Sequence, residues 1–280
     1  MLDVSSTILD ISVIIPFKDK AKMTAQCVDS LVLFGPAVKE ILLISNNSSL
    51  EELTKLRQAL QDHKNVKIIE HNVPFNYQKI NNWAVRQSSG GYIFFLNNDT
   101  EFVEESKNLV EKMYEKAKQP KVGMVGCLLL YGDQKTIQHA GVFLKPGLQG
   151  DHIYVGQLYK KVLEDSGSTE FPYDIKQSRP LTAVTGAAQV IKRKIFDAVD
   201  GLDERFIICG GDVDLCIRLN KAGYQTWYQT GGYIIHKESQ SRSYKPVPYI
   251  DFYHSYNSYL SAFDLKKGDP FVPKITEVML

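Results

Sequence analysis

The chain has 280 residues, 44% of them hydrophobic, enough for one large domain or two small ones with a sizeable core, and no linker-like stretch divides it. Lys and Arg total 33 against 32 Asp and Glu, a net charge of +1, so no global field selects nucleic acid or an anionic membrane, and an anionic ligand must be met by a local site. Cys27, Cys127, Cys209 and Cys216 lack CxxC spacing, which argues against a zinc ribbon or redox pair and reads as buried free thiols in a reducing compartment. With no signal segment and no apolar run long enough to span a bilayer, a soluble cytoplasmic protein is expected.

The first half alternates strand and helix. Residues 11–16 form an apolar run ended by proline, and Met23, Cys27, Leu31 and Phe34 then recur at helical spacing. Residues 40–45 predict a second strand, and Ser49 with Glu52 a capping box opening a helix that carries Leu50, Leu53, Leu56 and Leu60. Residues 66–70 make a third strand and 77–88 a helix, after which Gly90 and Gly91 turn the chain into Tyr-Ile-Phe-Phe-Leu at 92–96. Five consecutive apolar residues fit a strand buried on both faces, and repeated βα units imply a mostly parallel sheet with helices on both sides. Asn97, Asn98 and Asp99 stand where that strand leaves the sheet, the edge at which open α/β sheets bind ligands. By itself an Asp there also reads as a turn former or helix cap.

A charged, solvated cover helix is expected over 104–118 and strands over 122–131 and 137–144. From 145 to 180 periodicity fails, and this stretch, which holds several aromatics and His152, reads as a flap over a substrate site. Residues 182–191 predict a buried strand in which Gly186 leaves room for close approach, followed by a helix over 193–199 and a turn over 201–206. A last helix within the 210–220 segment, stopped by Gly223, has Asp212 at its N-cap and Asp214 in its first turn, where a carboxylate serves the helix whether or not it has chemistry to do.

Val13-Ile-Ile-Pro-Phe17, Asn46-Asn-Ser-Ser49, Asn76-Tyr-Gln-Lys-Ile-Asn-Asn82, Asn97-Asn98-Asp99, Ala183-Val-Thr-Gly186, Gly201-Leu-Asp-Glu204, Asp212-Val-Asp-Leu-Cys216, the 236–242 segment and Asp269-Pro-Phe271 come in an order and spacing that resembles the family 2 glycosyltransferases, in particular their bacterial surface-polysaccharide branch. The resemblance covers nearly the whole chain. It implies a GT-A fold, with a nucleotide-sugar-binding, Rossmann-like half over about residues 1–100 and an acceptor half over about 101–280, and an inverting mechanism. Asp99 stands in the family's DXD-type position, so it would bind a divalent cation, Mn²⁺ or Mg²⁺, that bridges the donor's diphosphate, with His236 completing the metal shell. With asparagine at the first two positions, one carboxylate remains, and the metal would bind weakly until the nucleotide supplies oxygens.

Asp212 matches the family's catalytic base. Pro16, Phe17, Asp19, Asn46, Lys79, Asn82, Asn98, Asp99, Gly186 and Arg242 are the implied donor-binding positions, with Arg242 meeting phosphate. Lys79 reads equally as a solvated helix residue. Two positions depart from the family pattern: Gly211, where relatives often carry Glu or Asn before the base, and Ser45, where many carry an Asp that contacts the nucleobase. The implied partners are a UDP- or dTDP-sugar donor and a polysaccharide, lipid-linked or protein-linked glycan acceptor, at the inner face of the cell membrane with peripheral association as an option. A binding module of the same fold that has lost catalysis is the alternative, and a sugar nucleotidyltransferase is disfavoured because Phe17-Lys18-Asp19-Lys20 has no glycine. Sugar, nucleobase, acceptor and oligomeric state are not specified.

Overall fold

The computed structural model describes residues 7–145, 149–237, 246–262 and 269–271. The first part of the chain is β1 (Leu9–Phe17), α1 (Ala21–Phe34), β2 (Val38–Ser45), α2 (Leu50–Ala59), β3 (Val66–Glu70), α3 (Tyr77–Gln87) and β4 (Tyr92–Leu96). These are right where the apolar pattern puts them, because each strand is a short apolar run and each helix carries one apolar stripe. Strands β4, β1, β2 and β3 are neighbours in that order and all parallel. Alternate residues of β4 enter opposite cores: Phe94 and Leu96 pack with α1, α2 and α4 (Leu109–Ala117), whereas Ile93 and Phe95 pack with α3, α6 (Arg193–Ala198) and α7 (Gly211–Lys221). Phe94 and Phe95 are essentially fully buried, and truncating either to Ala should cost about 3–5 kcal/mol.

The sheet continues through β11 (Ala188–Lys192), antiparallel to β4, then β6 (Val122–Tyr131), β12 (Gln225–His236) and β10 (Arg179–Leu181). Short β5 (Thr100–Glu101) pairs with β12, and β7 (Ile137–His139) with β6. A bulge in β12 shifts its pairing between Gln229 and Tyr233, and Gly231 (φ 108°) and Gly232 (φ 149°) supply the backbone for it. The bulge carries His236 out to pair with Thr100, beside the end of β4.

Four expectations are corrected. The helix over 104–118 divides into a 3₁₀ turn at Glu104–Ser106 and α4, separated by left-handed Asn108, and α4 buries Leu109, Val110, Met113 and Ala117 and so is more than a solvated cover. The strand over 137–144 breaks at Gly141 (φ 119°) into β7 and β8 (Val142–Lys145). The strand over 182–191 begins only at Ala188, the residues before it forming an extended loop and a turn at Gly186. The 145–180 stretch, expected without regular elements, has them among its described residues: β9 (Gln149–His152) pairs with β8, α5 (Tyr159–Asp165) follows, and Tyr154, Val162, Phe171, Tyr173 and Ile175 form a third apolar cluster against Leu128, Leu130 and Tyr228 of the sheet. Its aromatics are core residues. The sequence reading also missed α8 (Tyr249–Leu260), whose Asp251 accepts from the amides of Ile207 (2.6 Å), Ile208 (2.8 Å) and Cys209 (3.0 Å) and so anchors the loop that leads into α7. Among the described residues, no helix is long and apolar enough to cross a membrane.

Candidate active site

The C-terminal rim of the parallel strands gathers most of the polar residues singled out above. Its centre is the end of β4. Asp99 is 4% exposed, and its Oδ1 lies 3.0 Å from Nε2 of His236, which is 7% exposed. His236 is laid there by the β5–β12 pairing, and the amide of Lys237 donates to the carbonyl of Asp99 at 2.9 Å. The other ring nitrogen, Nδ1, is 2.6 Å from Oε1 of Gln138, while Nδ2 of Asn97 approaches Nε2 at 3.2 Å. The Gln138 carbonyl at Nδ1 calls for a ring proton on that nitrogen. Nε2 faces the Asp99 carboxylate oxygen at a distance that a shared proton bridges as an ion pair and that a bound cation could bridge as well.

That donor set fits a divalent metal ion. Adjacent vertices of an octahedron with bonds of about 2.1 Å lie about 3.0 Å apart, and one carboxylate oxygen with one imidazole suits Mn²⁺ or Mg²⁺ when phosphates and water complete the shell. Among the described residues, no group of three or more His, Cys, Asp or Glu able to hold a metal occurs.

From this centre a chain of contacts leads to the start of α7. Asn97 Oδ1 accepts from the hydroxyl of Tyr77 (3.1 Å), which also lies 3.3 Å from the carbonyl of Gly186. The amide of Gly186 in turn donates to Oδ2 of Asp212 at 2.7 Å. Asp212 is half-buried, and its Oδ1 accepts from the amide of Val213 at 2.9 Å. A side chain at Gly186 would crowd it, since a Cβ there would lie 3.3 Å from that of Asp212. Asp212 is not the N-cap as expected: Gly210 in the left-handed region is, and Asp212 sits within the first turn. Asp214, two residues on, is spent on structure, accepting from Arg218 Nε (2.7 Å) and Ser258 Oγ (2.7 Å).

The remaining candidates divide into those at the rim and those committed elsewhere. Pro16 is half-buried and Phe17 buried at the end of β1, and Asn46 after β2 donates its backbone amide to the Phe17 carbonyl at 2.9 Å. The Asn46 side chain, however, donates to the carbonyls of His71 and Val73, both at 2.9 Å, and so holds the loop after β3. Asp19 clamps two loops, accepting from the Ser49 amide (2.8 Å) and donating its own to Ser48 Oγ (2.8 Å). Lys79 is exposed on α3. Asn82 was expected in the donor pocket, but its amide group donates to Leu202 O (2.8 Å) and Glu204 Oε1 (3.1 Å) and accepts from Leu202 N (2.9 Å), pinning the 201–204 turn. Asn98 turns away from the rim, buried and donating to Thr24 Oγ1 on α1 at 3.0 Å, and Asn97 takes the place beside His236. Arg242 lies outside the described residues.

One of the two departures, Gly211, has a local explanation. A Cβ at Gly211 would lie 2.5 Å from the amide carbon of buried Gln78, so Gln78 occupies the room a longer residue would need. Ser45 is fully buried and its hydroxyl has no protein partner. Burial pushes the thiols of Cys27, Cys127 and Cys216 up to about 12, which keeps all three unreactive. Behind the site, burial together with nearby His152 and His236 holds His139 well below its ordinary value, and its neutral Nε2 accepts from the Thr185 amide at 3.3 Å. A groove of about 430 Å³ between α7 and α8 lies on the Asp214 side of α7; Arg218 and Arg205 line it but are already paired with Asp214 and Asp203. Gln138 and Thr24 went unnoticed in the sequence, and Tyr77, though inside a quoted motif, was given no role, since nothing in an isolated Gln, Tyr or Thr signals a contact made across the fold.

Residues 12–199 match the family described as Glycosyl transferase family 2. The O-antigen biosynthesis protein RfbC of Myxococcus xanthus is 38% identical over 263 residues, 93% of this chain but 20% of that protein. The chain therefore spans about a fifth of that relative's length. Among solved structures, GalNAc-T7 with UDP, GalNAc and Mn²⁺ aligns with a TM-score of 0.63 at 16% identity over 83% of this chain and 44% of that one. A mannosyltransferase from Pyrobaculum calidifontis in complex with GDP-Man and Mn²⁺ aligns with a TM-score of 0.58 at 13% identity over 85% and 59%. The shared architecture is the GT-A fold.

Proposed function

The chain belongs to glycosyl transferase family 2, and on that premise we propose that it is an inverting glycosyltransferase moving a sugar from a nucleoside-diphosphate sugar to a hydroxyl of a glycan acceptor. The observation that carries this reading is the continuous set of contacts from Asp99 and His236 through Asn97, Tyr77 and Gly186 to Asp212. In this reading the contacts link the proposed cation-binding pair to the proposed base along one rim of the sheet, and the carboxylate of Asp212 accepts from two backbone amides.

In the proposed reaction, Asp212 accepts the proton of the acceptor hydroxyl as that oxygen attacks the anomeric carbon, and the bond from that carbon to the diphosphate oxygen breaks on the opposite face. The configuration inverts in one step, and no enzyme nucleophile is needed. Asp99 and His236 would hold Mn²⁺ or Mg²⁺, whose chemistry when bound is to neutralise charge on the leaving diphosphate. Residues up to about 100 would hold the nucleotide and the rest the acceptor, within a single domain. The donor is a UDP- or dTDP-sugar in this reading, and the acceptor a polysaccharide, lipid-linked or protein-linked glycan met at the cytoplasmic face of the membrane. RfbC's description supports the surface-polysaccharide context, and the Mn²⁺ complexes of the structural neighbours support the cation.

Thermal-shift titration with UDP, dTDP and GDP, each with Mn²⁺ and with EDTA, tests the reading. Stabilisation by one diphosphate that requires Mn²⁺ is expected. Equal shifts with chelator would remove the metal bridge, and no shift with any of the three would remove the donor assignment.

A further inference from the structure

We propose that Gln138 is a positioning residue of this centre: its side-chain carbonyl fixes His236 as the Nδ1–H tautomer and thereby keeps the Nε2 lone pair turned toward Asp99 and the metal. The proposal rests on the assignment of Asp99 and His236 as the cation-binding pair. Gln138 is 5% exposed and lies in the middle of β7, in no sequence motif. In the β6–β7 ladder, Ile137 faces Leu130 and His139 faces Leu129, so the register slips between them and leaves Gln138 as the bulged residue. Bulges re-aim side chains, and here the amide is sent under the sheet to His236 Nδ1, 2.6 Å away across 98 positions of sequence. The backbone carbonyl of Gln138 is used as well, by Nδ1 of His152 at 3.0 Å, which ties the bulge in place.

The alternative arrangement shows why the amide's orientation matters. Turned end for end, it would offer N–H to Nδ1, put the ring proton on Nε2, and send that proton to Asp99 Oδ1 at 3.0 Å. Nε2 would then have no lone pair to share, and only the remaining lone pairs of the Asp99 carboxylate would be left for a cation. With the Gln138 carbonyl toward Nδ1, Nε2 keeps its lone pair, and a cation would take it in place of the Asn97 amide that lies 3.2 Å away. Partners that orient a metal-binding histidine typically change metal affinity by about 10- to 100-fold when removed.

Two substitutions separate this role from simple packing. Gln138→Glu keeps an acceptor at Nδ1 and should hold Mn²⁺ in the presence of UDP, followed by electron paramagnetic resonance, within a few-fold of the parent protein. Gln138→Met fills the same space without an acceptor and should weaken Mn²⁺ about 10- to 100-fold. Long-range ¹H–¹⁵N spectra of the imidazoles, recorded without metal and assigned with His236→Ala, should show the Nδ1–H pattern in the parent and Gln138→Glu proteins and its loss in Gln138→Met. Equal Mn²⁺ affinity in all three, or an unchanged tautomer in Gln138→Met, overturns the proposal. If the parent protein binds no Mn²⁺ with UDP, the metal assignment fails, and the tautomer spectra still decide whether Gln138 sets the ring.

Discussion

The two rims of the same parallel sheet each bury a carboxylate, and they use it in opposite ways. At the N-terminal rim, Glu40 on β2 accepts from Ser12 Oγ (2.8 Å), Ser89 N (2.6 Å), Ser89 Oγ (2.8 Å) and Lys67 Nζ (2.9 Å). Nearby, Arg193 donates to the carbonyls of Gly90 and Val85 and to Ser88 Oγ, closing the same end of the sheet. At the C-terminal rim, Asp99 lies 3.0 Å from Nε2 of a single histidine, and Asp212 takes two backbone amides on a half-exposed face. Depth of burial therefore does not mark the chemistry. What distinguishes the rims is whether donors within the protein have used up the carboxylate.

Removing the proton acceptor at the open rim should have the largest effect. An Asp212→Asn protein should lose about 10²- to 10⁴-fold in turnover, because an amide cannot take the acceptor's proton. One amide oxygen can replace only one of the two contacts to Gly186 and Val213, so a stability loss of about 1 kcal/mol is expected as well. Near-normal transfer by this variant would move the base elsewhere. Asp99→Ala comes next, with about 10²- to 10³-fold slower transfer and no difference between Mn²⁺ and EDTA in nucleotide-induced stabilisation. A surviving Mn²⁺ dependence would place the metal on other residues.

Asp214 shares a helical turn with Asp212 but belongs with the saturated group. Asp214→Asn breaks a largely buried ion pair, and Arg218 keeps its bonds to the carbonyls of Val199 and Gly201. A loss of about 2–3 kcal/mol in urea unfolding is expected, below the full cost of stranding a buried charge, with turnover per folded molecule within about 3-fold of normal. A stable but inactive Asp214→Asn protein would exchange the roles of the two residues.

The same contrast explains what the sequence reveals. Strands and helices through β4 are legible because apolar period and buried face coincide, and Asn97 to Asp99 stand out because three polar residues interrupt an apolar run. Asn98 was assigned to the donor and Asn97 not, because adjacent residues at a strand end point opposite ways and only the packing of Thr24 decides which turns inward. Asn46 and Asn82 lie in matching motifs yet serve loops brought close by the fold, at separations no local pattern records. The 145–180 core was missed because Tyr154, Phe171 and Tyr173 meet through tertiary contact without period. The family match bears out the resemblance read from the residues, whereas the roles within the site rest on geometry.

The smallest effect should come from the saturated rim and should appear only in acid. Burial alone would raise the carboxyl of Glu40, but hydrogen bonds from Lys67, Ser89 and Ser12 outweigh it and lower the value from 4.5 to about 2. A carboxyl lowered on folding contributes stability that is fully present above its unfolded value and is lost as pH falls through the folded one. The window is therefore pH 4.5 down to about 2, and the contribution lost across it is about 2 kcal/mol once the exposed side of the Lys67 pair is discounted for solvent screening. Gln at this position keeps the shape and one acceptor oxygen but has no such titration. Urea unfolding at pH 7, 4 and 2.5 should show Glu40→Gln less stable than the parent protein at neutrality and the two converging in acid, with transfer at pH 7 unchanged within about 2-fold because no contact of Glu40 reaches the other rim. Parallel stability curves over that range would mean that the Glu40 contacts persist in the unfolded chain or do not form, and a loss of transfer at pH 7 would join two rims that the contrast keeps apart.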